Sequence, residues 1–93
     1  MTTRTQRILE RDDYRCQYCG GRAVHADHVV PKALRRGRPE FDDDAWIIAA
    51  CFSCNVRRGT RRYVAPSWAD RIAELPRDGW QVWSGGAHLE VVR

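Results

Sequence analysis

Two Cys-x-x-Cys pairs, Cys16/Cys19 and Cys51/Cys54, separated by 31 residues, constrain this chain more than any other feature. Thiolates at i and i+3 reach one ion across a tight turn, and two such turns close a tetrahedral shell. Binding one ion forces the two turns together and makes the residues between them a closed insertion. A closed shell keeps no open position, so the ion is structural and its binding adds to the folding free energy. A chain of 93 residues buries only a thin core and depends on such a staple. The spacing favours zinc. A rubredoxin-type iron centre and a pair of disulfides are the alternatives that spacing alone leaves open.

Composition bears on the partner. No apolar run approaches the roughly 20 residues that span a bilayer, and Met1-Thr2-Thr3-Arg4 leads into a polar segment unlike a signal peptide. A cytoplasmic protein without a membrane partner is expected, and reduced thiols there favour metal over disulfide. The formal charge is +4, a mild bias, but eight of the sixteen basic residues fall between His28 and Arg62. They are Lys32, Arg35, Arg36, Arg38, Arg57, Arg58, Arg61 and Arg62. Arginine suits bidentate phosphate contact, so this clustering points to nucleic acid. Contact with the phosphate backbone is expected to outweigh base readout.

The order of elements is strand, loop, strand, helix. Thr3 to Asp12 reads as a short helix with Ile8 and Leu9 inward. Arg15 to Gly21 reads as a metal knuckle, with Gly20-Gly21 permitting its tight turn. Ala23 to Val30 has strand character and ends at Pro31. Lys32 to Asp44 reads as a polar loop. Trp46 to Ala50 is a second strand, and a helix opens at Cys51 and stops at Gly59. This is a ββα unit in an α+β chain. Beyond it, Ser67 to Leu75 reads as a helix. Trp80–Trp83 and Ala87–Val92, flanking Ser84-Gly85-Gly86, read as a hairpin. One domain over residues 1–93 is expected, with a core at 8–62 and an extension at 63–93.

Within that unit Asp27-His28 ends the first strand, and Asn55 follows the second cysteine pair. Neighbours on a strand face opposite ways, so Asp27 and His28 cannot share one task. A carboxylate and an amide oxygen suit a hard cation such as Mg²⁺ or Mn²⁺. An imidazole suits proton transfer near neutral pH. His25 shares the face of Asp27 and reads as a partly exposed strand residue, with a third cation ligand as the second reading. His88 reads as structural or surface, Tyr18 as packed near the metal, and the four tryptophans as core before base-stacking platforms.

These residues resemble the HNH endonuclease family, and in particular its branch with a four-cysteine zinc site. The matching pieces are Tyr14-Arg15-Cys16-Gln17-Tyr18-Cys19-Gly20, Ala26-Asp27-His28-Val29-Val30-Pro31, and Ala49 through Gly59. The resemblance implies a ββα-metal (His-Me finger) fold and hydrolysis of DNA phosphodiester bonds. It implies Cys16, Cys19, Cys51 and Cys54 on structural zinc, and Asp27 and Asn55 on a catalytic cation. That cation is Mg²⁺ or Mn²⁺, with Ni²⁺ and Zn²⁺ as alternatives. His28 is implied as general base. Lys32, Arg35, Arg36, Arg57, Arg58, Arg61 and Arg62 would hold DNA. Short members of this kind resemble those encoded by phages and mobile elements, some of which assist genome packaging or restriction. One departure stands out. The family's middle Asn, thought to brace the loop that holds the His, falls at Trp46; Asp42, Asp43 or Asp44 is the expected substitute, accepting hydrogen bonds from loop amides. A zinc module that grips nucleic acid without cutting is the alternative function.

Overall fold

A computed structural model describes residues 2–83 of the chain. The first helix, α1 (Arg4–Arg11), starts at a reciprocal cap. The Gln6 amide donates to the Thr3 hydroxyl at 3.1 Å, and the Thr3 amide donates to the Gln6 side chain at 2.9 Å. Its apolar stripe is narrow, and Ile8 and Leu9 carry the burial. Behind it, Asp13 and Tyr14 adopt positive φ and turn the chain into the first cysteine pair. There the Cys16 amide donates to the Gly21 carbonyl at 2.7 Å, and the Gly20 amide to the Cys16 carbonyl at 2.8 Å. Gly20 takes φ +85°, a conformation that strains any residue with a Cβ.

Strand β1 (His25–His28) pairs antiparallel with β2 (Ile47–Ala50), His25 opposite Ala50 and His28 opposite Ile47. The first strand is shorter than its composition predicts. The Ala23 amide donates to the Tyr14 carbonyl, so contact with β2 goes no further back than Val24, whose amide still reaches Ala50. The connection from β1 to β2 is not the open loop its polarity predicts. It contains α2 (Lys32–Arg35) and two 3-10 turns, Pro39–Asp42 and Asp44–Trp46. Pro39 presets the first turn's backbone, and buried Phe41 anchors it to the core. Helix α3 (Phe52–Arg58) begins where the Cys51 sulfur accepts the Cys54 amide at 3.3 Å, and it stops at Gly59, φ +52°. The ββα order expected from the sequence is present.

Helix α1 packs on both strands and α3 on β1, which explains why all four β2 residues are buried. Ile8, Val29, Val30, Ile47, Ile48 and Val64 form the centre of the core. The C-terminal part differs from expectation. The segment read as a helix is a 3-10 helix, Pro66–Glu74, begun by Pro66 and ended before Pro76. Beyond it β4 (Gln81–Val82) lies parallel to β3 (Tyr63–Val64), a pairing the sequence did not suggest. A parallel pair needs a crossover, and residues 65–80 supply one. Burial of Trp80 and Trp83 draws the chain back to β3, where the Trp83 amide donates to the Val64 carbonyl at 2.8 Å. The expected second hairpin strand and His88 lie outside the described residues. Among the described residues no helix is long and apolar enough to cross a membrane.

Candidate active site and metal centre

The four thiols converge. All are free, and their sulfur atoms lie within 4.8 Å of one another. Two backbone contacts bring the pairs together: the Gln17 amide donates to Ala49 at 3.0 Å, and the Val24 amide to Ala50 at 3.1 Å. Cys19 and Cys51 sulfurs are 3.8 Å apart, far beyond a disulfide bond of about 2.05 Å. That spacing is the edge of a tetrahedron whose metal–sulfur bonds are about 2.3 Å, the zinc–thiolate length. The chemistry of the donors agrees. Burial and the neighbouring sulfurs push the Cys54 thiol up, and burial pushes Cys19 up as well. Burial acts the same way on Cys16, but the amides of Cys51, Cys19 and Tyr18 outweigh it and hold that thiol below its ordinary value. A bound cation would offset that burial cost by taking all four sulfurs as thiolates. The sites read from the spacing therefore form one metal centre.

On the α3 side of β1 sits Asp27. Its Oδ2 accepts the Tyr18 hydroxyl at 3.1 Å and Arg58 Nη1 at 3.0 Å. Arg58 is 1% exposed. Its guanidinium also reaches the carbonyls of His28, Val29 and Tyr63. The expectation that Arg58 contacts DNA is therefore corrected: its charge faces inward and neutralises Asp27. Burial still raises the Asp27 carboxyl, against the opposing pull of Arg58 and Tyr18. Burial likewise lifts the Tyr18 phenol well above its usual value, so it stays a donor. Asn55 is half-buried and stands one turn before Arg58, on the helix face that looks at β1. Asp27 Oδ1 and the side-chain amide of Asn55 have no hydrogen-bond partner among the described residues. His25, on the same strand face, lies beside Phe52 with ring centroids 6.1 Å apart.

His28 turns the other way, as strand alternation requires. Its Nε2 is 2.7 Å from Asp42 Oδ1, and its side chain is 31% exposed. Asp42 belongs to the 3-10 turn between the strands and also meets Arg4 Nη1 at 3.4 Å. The bond from His28, with the charge of Arg4, holds the Asp42 carboxyl below the usual carboxylate range. Beside it opens a cleft of about 340 Å³ lined by Lys32, Arg35, Arg36, Gly37, Pro39 and Asp42. Lys32 and Arg36 are exposed, while Arg35 is half-buried with Nη1 on the Val30 carbonyl at 2.9 Å. Arg57 and Arg61 are exposed on the far side of α3, and Arg62 is tied to the Asp78 carbonyl.

One part of this arrangement carries no signal in the sequence, and a second carries only a faint one. The Tyr18–Asp27–Arg58 network joins a knuckle, a strand and a helix end whose spacings mean nothing until the metal centre folds them together. Arg4, Arg7 and Arg11 read as an ordinary basic face. They in fact hold the acidic turn, with Arg4 and Arg7 on the Asp44 carboxylate at 2.9 and 3.1 Å and Arg11 on the Asp44 and Ile47 carbonyls. A basic i, i+3, i+7 row facing an Asp-Asp-Asp run was the available hint.

Residues 16–61 match the family model described as HNH endonuclease, a span that holds both cysteine pairs, Asp27, His28 and Asn55. No curated protein and no solved structure gives a match.

Proposed function

From a chain that belongs to the HNH endonuclease family through residues 16–61, we propose a metal-dependent nuclease that hydrolyses DNA phosphodiester bonds. The observation that carries the reading is the half-exposed His28 imidazole, hydrogen-bonded to Asp42 at the rim of a basic cleft. An anionic backbone seated on Lys32, Arg35 and Arg36 brings a phosphate to that imidazole. Arg57 and Arg61 extend the basic surface to flanking phosphates, and such contacts make affinity fall steeply with salt.

In the proposed step His28 takes a proton from water as the water oxygen attacks phosphorus. The new phosphorus–oxygen bond forms as a backbone phosphorus–oxygen bond breaks, and the departing oxygen takes a proton from solvent. Asp27 Oδ1 and the Asn55 amide oxygen would hold the catalytic divalent cation, Mg²⁺ or Mn²⁺. Bound there, it would neutralise charge on the scissile phosphate. The four thiolates hold structural zinc, which fixes the start of α3 and with it Asn55.

One observation favours the non-cutting alternative: Asp27 is already neutralised by buried Arg58. The test is incubation of the zinc-loaded protein with supercoiled plasmid in EDTA, Mg²⁺ or Mn²⁺, beside His28→Ala. Cation-dependent nicking by the wild type alone supports the nuclease. Salt-sensitive binding by both proteins with no nicking by either would establish the binding module instead.

A further inference from the structure

The segment between the two strands is held at several points, and all of them aim Asp42 at His28. Phe41, the preceding residue, is buried with its ring edge-on to Trp46, centroids 5.1 Å apart. Trp46 in turn meets Trp68 at 5.7 Å, and the Arg71 guanidinium lies 4.0 Å from both indole centroids. The far end of the segment is pinned beside β1, where the Val29 amide donates to the Trp46 carbonyl at 3.1 Å. From the other side Arg4 approaches the same Asp42 oxygen that His28 contacts, and Asp44 is gripped by Arg4 and Arg7. Arg4, Trp68 and Arg71 lie outside the span 16–61 that matches the family. Flanking parts of the chain thus fix an acidic residue against the imidazole.

An ionised carboxylate only accepts hydrogen bonds. A neutral imidazole facing it through Nε2 must carry its proton there, which leaves Nδ1 as the lone pair. We propose that Asp42 is the positioning residue of His28, fixing the imidazole by its Nε2–H so that Nδ1 takes the proton from water. The aromatic bracket of Phe41, Trp46 and Trp68 then keeps Asp42 in place. This rests on the nuclease reading for its consequence, but the contact and the tautomer stand apart from it.

Two readouts on the zinc-loaded protein test the proposal. The first is the imidazole ¹⁵N spectrum of His28, followed into alkaline buffer until it no longer changes with pH. The wild type should show Nε2 protonated and Nδ1 bare, and Asp42→Ala should shift toward a mixture. The second is plasmid nicking with Mn²⁺. Asp42→Ala should lose on the order of 10- to 100-fold in kcat with KM little changed, part of the roughly 10²–10⁴ that a positioned base supplies. Glu40→Gln, an exposed acid of the same turn, should match the wild type in both. An unchanged tautomer in Asp42→Ala overturns the proposal, and so does an unchanged kcat in a wild type that cuts. A wild type that never cuts defeats the nuclease reading, while the spectrum still decides whether Asp42 orients His28.

Discussion

The thiol cluster and the His28–Asp42 contact lie at opposite ends of the same two strands and are built in opposite ways. Each cysteine pair is a local turn, closed by its own amides, and backbone bonds to Ala49 and Ala50 bring the pairs together. His28 and Asp42 are 14 positions apart and each is substantially exposed. Their approach depends on side chains from α1 and from residues 66–74, outside the strands themselves. One end is over-determined and supplies folding free energy. The other is partly exposed and, in the proposed nuclease, supplies the chemistry. Perturbing either end should therefore leave a different signature.

Removing metal is the strongest such perturbation. Chelation, or Cys51→Ala, should unfold the ββα unit, because binding at four thiolates contributes an apparent free energy of about 10–16 kcal/mol. Loss of the far-ultraviolet dichroism together with released metal checks this, and a chelated protein that keeps its melting transition breaks the contrast. Next comes Arg58→Ala, which strands the Asp27 carboxylate in a buried site and should cost about 3–5 kcal/mol in urea unfolding of the metal-loaded protein. Trp46→Ala should cost about 3 kcal/mol, the lower part of the range for a buried tryptophan, since its neighbours Trp68 and Arg71 are only half-buried. It should keep the metal and lose nicking, sharpening the separation between the ends.

The smallest effect concerns pH. Bonds from Arg7 and Arg4 hold the Asp44 carboxyl below its ordinary value of 3.8. The unfolded state therefore takes up this proton first as pH falls. The stabilisation is complete above the unfolded value and disappears as pH drops through the folded one. In the metal-loaded protein the melting-temperature gap between wild type and Asp44→Asn should be full at neutral pH and begin to narrow as pH falls toward 3.8. Parallel curves would show that the Arg4–Asp44–Arg7 contacts add nothing.

The same contrast governs what could be read in advance. The cysteine spacing, Gly20 and Gly59 are local signals, and so the knuckle, the helix start at Cys51 and its stop all follow from sequence. Trp46 to Ala50 reads as a strand because its apolar run is continuous. Arg58 shows where local reading fails. By residue type it joins a basic surface, and only the fold of β1 onto α3 reveals a buried partner for Asp27. The β3–β4 pair is missed for a related reason: Tyr63-Val64 is too short to read as a strand, and only the burial of Trp80 and Trp83 brings Gln81-Val82 beside it. His28–Asp42 falls between these cases. An acidic brace for the histidine segment is readable from Asp42-Asp43-Asp44, but which carboxylate meets the imidazole depends on how Phe41 and Arg4 pack.

The most direct test of the account is nicking of supercoiled plasmid by His28→Ala, measured on the same sample as its metal content and unfolding free energy. The account predicts full metal loading, a stability loss of no more than about 1.5 kcal/mol, the net worth of one hydrogen bond, and no cation-dependent nicking above background where the wild type cuts. Nicking by His28→Ala at the wild-type rate, with metal and stability intact, would contradict it.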